Sequence, residues 1–169
     1  GYLVTAHAGP SHHVDQLAGI CLRTPDVIGR GSARLAHQLM DVAIDAYFPI
    51  LDKVDDFLDS LEERVFASFD EGSLRDIFAV KRLVLSLRRY LAPQREIFNV
   101  LSNRPSALLT PDLQLYFRDV YDHMLRINDS IDTYRDLLSS TMESYLSQVS
   151  NRLNLVSKSL AVVATLSVP

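Results

Sequence analysis

The chain has 169 residues, 47% hydrophobic and 22% charged. These proportions exclude a disordered or low-complexity polypeptide and leave enough chain for a buried core. A formal net charge of −4 argues against a general nucleic-acid binder, and the single cysteine, Cys21, excludes both an intramolecular disulfide framework and a Cys-based zinc site.

Gly1–His7 has neither the basic region nor the long apolar run of a secretory signal. Within it, Tyr2, Val4 and Ala6 alternate with Leu3, Thr5 and His7. That period of two predicts a strand, which needs a partner strand to persist. His12–Arg23 reads as a short helix stopped by Thr24-Pro25, and Ile28–Ser32 as a link.

Everything afterwards reads as helix. Met40, Ile44, Tyr47, Leu51, Val54, Leu58, Leu61 and Val65 alternate steps of four and three, a heptad seam on a first long helix. Ser73 is the expected N-cap of a second, with Asp76 completing a capping box. Its seam is Ile77, Val80, Val84, Leu87, Leu91, Gln94, Phe98 and Leu101. Pro49 and Pro93 are each expected to bend their helix one turn upstream. Thr110-Pro111 supplies an N-cap and a first-turn proline for a third helix, in which no Gly or Pro follows until Pro169. At about 1.5 Å per residue that segment would extend roughly 90 Å. Its apolar positions Ile131, Tyr134, Leu138, Met142, Tyr145, Val149, Leu153 and Val156 contain extra four-residue steps, which would unwind a supercoil locally. Leu160–Pro169 is uncharged, about half of what a membrane-spanning helix needs.

The first long helix is strongly acidic and the second basic, so their antiparallel pairing is electrostatically favoured. His12, His13 and Asp15 form a short cluster, read either as a solvated surface group or as a cation site. Asp119 and His123 share a helix face at i, i+4, which suits a divalent ion or an ordinary solvated face. Carboxylate ladders of this kind suit Mg²⁺ and Ca²⁺. No nucleophile elbow, glycine-rich phosphate loop or HExxH motif occurs, so an enzyme is not expected.

The phrases LMDVAIDAYFPILDKVDDFLDSLEERVF, LRRYLAPQREIFNVL, YFRDVYDHMLRINDSIDTYRDLLSS and YLSQVSNRLNLVSKSLAVVATLSVP resemble the CorA-type magnesium channels across residues 31–169. The resemblance implies a mainly α fold: two long antiparallel helices (33–68 and 73–101) beside a very long stem helix (110–167), with a remnant strand of an α/β domain at the N-terminus. It implies residues 1–30 as the end of that α/β domain, 31–108 as the hairpin, and 109–169 as the stem running into the first transmembrane helix. It further implies a homopentamer that conducts Mg²⁺, often also Co²⁺ or Ni²⁺, across the cell (inner) membrane, with contact to the membrane through the C-terminal segment.

Residue by residue, Asp119 in the FRD phrase matches the acid that senses internal Mg²⁺ with a neighbouring subunit, and Asp41 matches a secondary acidic ligand. Asn154 matches a pore-facing amide, and Leu160 matches a hydrophobic constriction. Val168 stands where the family carries a further apolar pore residue, and Ser157 replaces a Met of the gate. The family's Gly-Met-Asn signature and second transmembrane helix are not in the sequence, so the chain is expected to be a fragment. Self-association is expected through Leu153, Val156, Leu160 and Val163. A zinc transporter of the same superfamily and a structural coiled coil with no transport role are the alternatives.

Overall fold

The structure, a computed structural model, describes residues 1–67, 71–105 and 109–167. It contains six helices among those residues: α1 (His12–Arg23), α2 (Asp26–Gly29), α3 (Ser32–Asp45), α4 (Phe48–Ala67), α5 (Glu71–Asn103) and α6 (Pro111–Ser167). α1 has the expected bounds, with Ser11 accepting a hydrogen bond from the Val14 N–H at its start. Part of the expected link after it is the single turn of α2. Gly31 then opens α3 at a φ of +95°, a conformation that glycine adopts without strain.

Residues 1–7 carry no regular secondary structure, which corrects the expected strand. A strand is held by a ladder to a neighbour, and residues 1–7 form none.

The seam expected on one long helix is divided between α3 and α4. Pro49 has no N–H to give the Asp45 carbonyl, and the backbone tightens around the gap. Tyr47 N–H bonds the Ile44 carbonyl and Ile50 N–H the Tyr47 carbonyl, each at 3.0 Å and each three residues back. α5, by contrast, runs unbroken through Pro93. It also begins before Ser73, which is fully buried inside the helix rather than capping it, while Asp76 turns to Arg64 at 2.7 Å. The expected cap at Thr110 is present: its hydroxyl accepts from the Leu113 N–H at 3.3 Å.

The described chain forms two compact units. The first comprises Gly1–Asp52 with Arg88–Ser130, and its core gathers Leu17, Ile44, Leu51, Leu91, Phe98 and the Phe117, Val120, Met124, Ile127 row of α6. The second comprises Lys53–Leu87 with the chain from Ile131 onward. In it α4 and α5 run antiparallel, tied by the Arg64–Asp76 ion pair, and bury Leu58, Leu61 and Val65 with Ile77, Val80 and Val84. α6 adds Ile131, Tyr134, Leu138, Thr141 and Tyr145, and the Gln148 amide donates to the Val65 carbonyl.

The buried row on α6 therefore keeps the three–four alternation from Phe117 to Tyr145, with Thr141 in the place the sequence assigns to Met142. Thr141 is tolerated in the core because its hydroxyl donates to the Leu137 carbonyl at 2.8 Å. Beyond Ser150 the side chains of α6 are exposed on every face as far as Thr165. Among the described residues no helix is long and apolar enough to cross a membrane.

Candidate metal centre

Two helices of the first unit build the site. On α3, His37, Asp41 and Asp45 are spaced by four and share a face; on α6, Asp119 and His123 do the same. His37 meets the Tyr116 carbonyl at 3.1 Å, and Asp45 meets His123 at 2.7 Å. Both helices advance together between these contacts, so α3 and α6 lie parallel here. Asp41, Asp45 and His123 each offer a donor atom, and the three atoms lie within 4.8 Å of one another.

Asp45 is half exposed at 50%, whereas His123 is 18% exposed and fixed by the Phe48 ring, edge-on at 5.6 Å. The break between α3 and α4 sets this arrangement, since it leaves Asp45 as the last residue of α3 and Phe48 as the first of α4. Partial burial pushes the Asp41 carboxyl above its ordinary range, and the Asp45 charge adds to that shift. His37 and His123 oppose it, while Asp119 reinforces it. Two carboxylates held this close are relieved by a cation, so the donor set fits a divalent ion.

His37 is the buried neighbour of this cluster. Burial lowers its pKa, against the opposing pull of Asp41, the Tyr116 carbonyl and Asp119; Arg34 lowers it further. Arg34 itself lies over the Tyr116 ring, 3.5 Å from its centre. The unfolded chain thus takes up the proton at a higher pH than the folded one. Stability from a neutral His37 is present above the ordinary value of 6.5 and is lost as pH falls below it towards the lower value of the folded state. Melting temperatures recorded from pH 7.5 to 5.5 are expected to fall more steeply for the wild type than for His37→Gln, and equal slopes would exclude His37 as the source.

The sequence profile of the CorA-like Mg²⁺ transporter protein family matches residues 1–169. The chain belongs to that family. It is 38% identical over 135 residues to the cobalt/magnesium transport protein CorA of Thermotoga maritima, covering 80% of this chain and 38% of that protein. A putative metal ion transporter of Bacillus subtilis, YfjQ, is 26% identical over 168 residues, 99% of this chain and 53% of the relative. The complete structure of the CorA magnesium transporter from Methanocaldococcus jannaschii superposes with a TM-score of 0.84 at 23% identity, over 95% of this chain and 51% of that one. The chain thus spans about half or less of the lengths of these relatives, and the last comparison establishes the fold, mainly α.

In this CorA-family chain, Asp41 sits in the three-residue cluster. Asp119 is exposed on the adjacent turn, close enough to act on Asp41 and His37 electrostatically, but it is not one of the three mutually close donors. Arg126, on the same helix, lies over the Phe48 ring at 5.3 Å. Asn154 and Leu160 are exposed on α6, and Val168 lies outside the described residues. His12 and His13 stand on α1, where they line a cavity with Asp45. Asp45 is the residue that sequence reasoning missed. Its only signal was the i+4 spacing from Asp41 in DVAID, which many solvated helix faces share.

Proposed function

We propose that this chain is the Mg²⁺-sensing and pore-lining stem region of a homopentameric CorA-type channel in the cell membrane, with residues 109–169 leading into its first transmembrane helix. The observation that carries the reading is the meeting of Asp41 with Asp45 and His123, beside Asp119, in a chain matched throughout by this family. Residues 1–30 then close an α/β domain and 31–108 form the hairpin that braces the stem. Mg²⁺ is both cargo and closing ligand, and Co²⁺ and Ni²⁺ are further cargo.

Mg²⁺ keeps most of its octahedral water shell and binds proteins through one or two carboxylates. Asp119, with Asp41 behind it, provides that kind of ligand towards an acid of a neighbouring subunit. Bound ions neutralise the facing carboxylates and favour the closed arrangement. When internal Mg²⁺ falls, the acids repel and the stems separate. Asn154 then receives hydrated ions at the inner mouth, and the Leu160 ring, followed by Val168, excludes water when closed and admits it when open.

The test is current through the whole channel. Asp119→Ala is expected to conduct at internal Mg²⁺ concentrations that silence the wild type. Unchanged inhibition by Mg²⁺ would remove Asp119 from the sensor.

A further inference from the structure

We infer that the α4–α5 hairpin carries a lateral docking surface for a second copy of this chain: the acidic flank of α4 in one protomer seats against the basic flank of α5 in the next. The inference rests on the homopentamer reading only for a common axis, and goes beyond it in naming a contact away from the stem.

Each flank is a row at helical spacing. On α4, Asp55, Asp59, Glu62 and Phe66 follow at steps of four, three and four, with Asp55 and Asp59 exposed and Phe66 62% exposed. Like charges at these spacings repel along a helix unless a positive surface relieves them. On α5, Phe78, Arg82 and Leu85 follow at steps of four and three, all exposed, with Lys81 exposed beside them. This second row mixes bases with apolar groups and lies outside the seam that the hairpin buries.

The Arg64–Asp76 ion pair marks the sides on which α4 and α5 face each other. Asp55 lies nine residues before Arg64, and Leu85 nine residues after Asp76. At 3.6 residues per turn each is about 180° around its helix from the ion pair. The acidic and basic rows therefore point away from each other, on opposite flanks of one hairpin. Two different patches so placed make a head-to-tail contact, which closes into a ring when the copies are related by rotation. Rotation about an axis along the helices leaves heights unchanged. Counted outward from the ion pair, Asp55 stands level with Leu85 and Asp59 with Lys81, while Arg82 falls between the two acids. α4 of one copy then meets α5 of the next antiparallel and with opposite charges in register.

The acidic flank also has room for a side chain. Asp59, Glu62, Glu63, Phe66 and Ala67 line an open cavity of about 620 Å³. Phe78 of the next copy stands at the height of Glu62 and would enter this cavity beside Phe66. An anionic membrane would match the basic flank alone, whereas a second copy matches both flanks.

The experiment is disulfide trapping in the whole detergent-solubilised channel, carrying Asp55→Cys and Leu85→Cys and otherwise free of cysteine. A ladder of cross-linked protomers is expected on mild oxidation. Asp59→Lys is expected to slow trapping by about fivefold or more, and adding Lys81→Glu to restore it to within about twofold. Circular dichroism checks that each variant remains helical. Monomers alone after oxidation, trapping unchanged by Asp59→Lys, or no recovery with Lys81→Glu would each overturn the inference. Absence of trapping together with binding to phosphatidylglycerol vesicles that Lys81→Glu abolishes would overturn it in favour of a lipid surface. Light scattering of the same channel keeps the two readings apart, since a pentamer that does not trap contradicts the flank contact and leaves the assembly standing.

Discussion

Leu160→Asn in the whole channel is expected to leave a current at internal Mg²⁺ concentrations that close the wild type, at least about tenfold above the wild-type residual. A ring of leucines closes a pore by making a water-filled passage unfavourable, and an amide at the same position hydrates it. Leu160 is 64% exposed on α6, with Leu153, Val156 and Val163 exposed on the turns around it. In a bundle of stems those apolar side chains would face partners of their own kind. Patch recordings at millimolar internal Mg²⁺ check the prediction. A variant that closes as fully as the wild type would place the barrier elsewhere along the stem.

The second large effect is on stability. Ile127 has no exposed surface and is the last of the row that α6 buries in the first unit. Ile127→Ala removes three buried carbons from close-packed surroundings and is expected to cost about 2–5 kcal/mol. A lower urea midpoint with an unchanged slope is the expected signature. A loss below about 0.5 kcal/mol, the range of exposed substitutions, would show that this part of α6 is not packed as described. The consequence reaches function, because Ile127 lies one turn beyond His123 and holds the helix that presents it.

Much of the architecture was legible because it depends on local spacing. The seam from Leu51 to Val65 is buried where the three–four alternation put it, and so are Ile77, Val80, Val84, Leu91 and Phe98 of the second, with Leu87 and Gln94 half-buried between them. Thr110-Pro111 starts α6 as capping chemistry requires. The errors arose where a polar side chain is buried inside the fold. Thr141 bonds its own helix and replaces Met142 in the core, and Ser73 is buried instead of capping. Residues 1–7 have the alternation of a strand, but pattern alone cannot supply a neighbouring ladder.

The site shows the same division. Asp41 and Asp119 came from a resemblance in short phrases, and the pairing of Asp119 with His123 from helical spacing. The structure assigns His123 to Asp45 instead, through the parallel register of α3 and α6. That register joins residues 78 positions apart. It also depends on the break that Pro49 imposes, and no local pattern encodes it.

Sensing of internal Mg²⁺ by the carboxylates on this face of α3 and α6 is the proposal on which the other roles depend. Its most direct test is the internal Mg²⁺ concentration that half-closes the whole channel, measured for the wild type, Asp41→Asn, Asp119→Asn and the double variant. Each single variant is expected to raise that concentration by about fivefold or more, with the double variant short of the product because the two acids act on one equilibrium. Half-closing concentrations that stay at the wild-type value in both single variants would contradict the account.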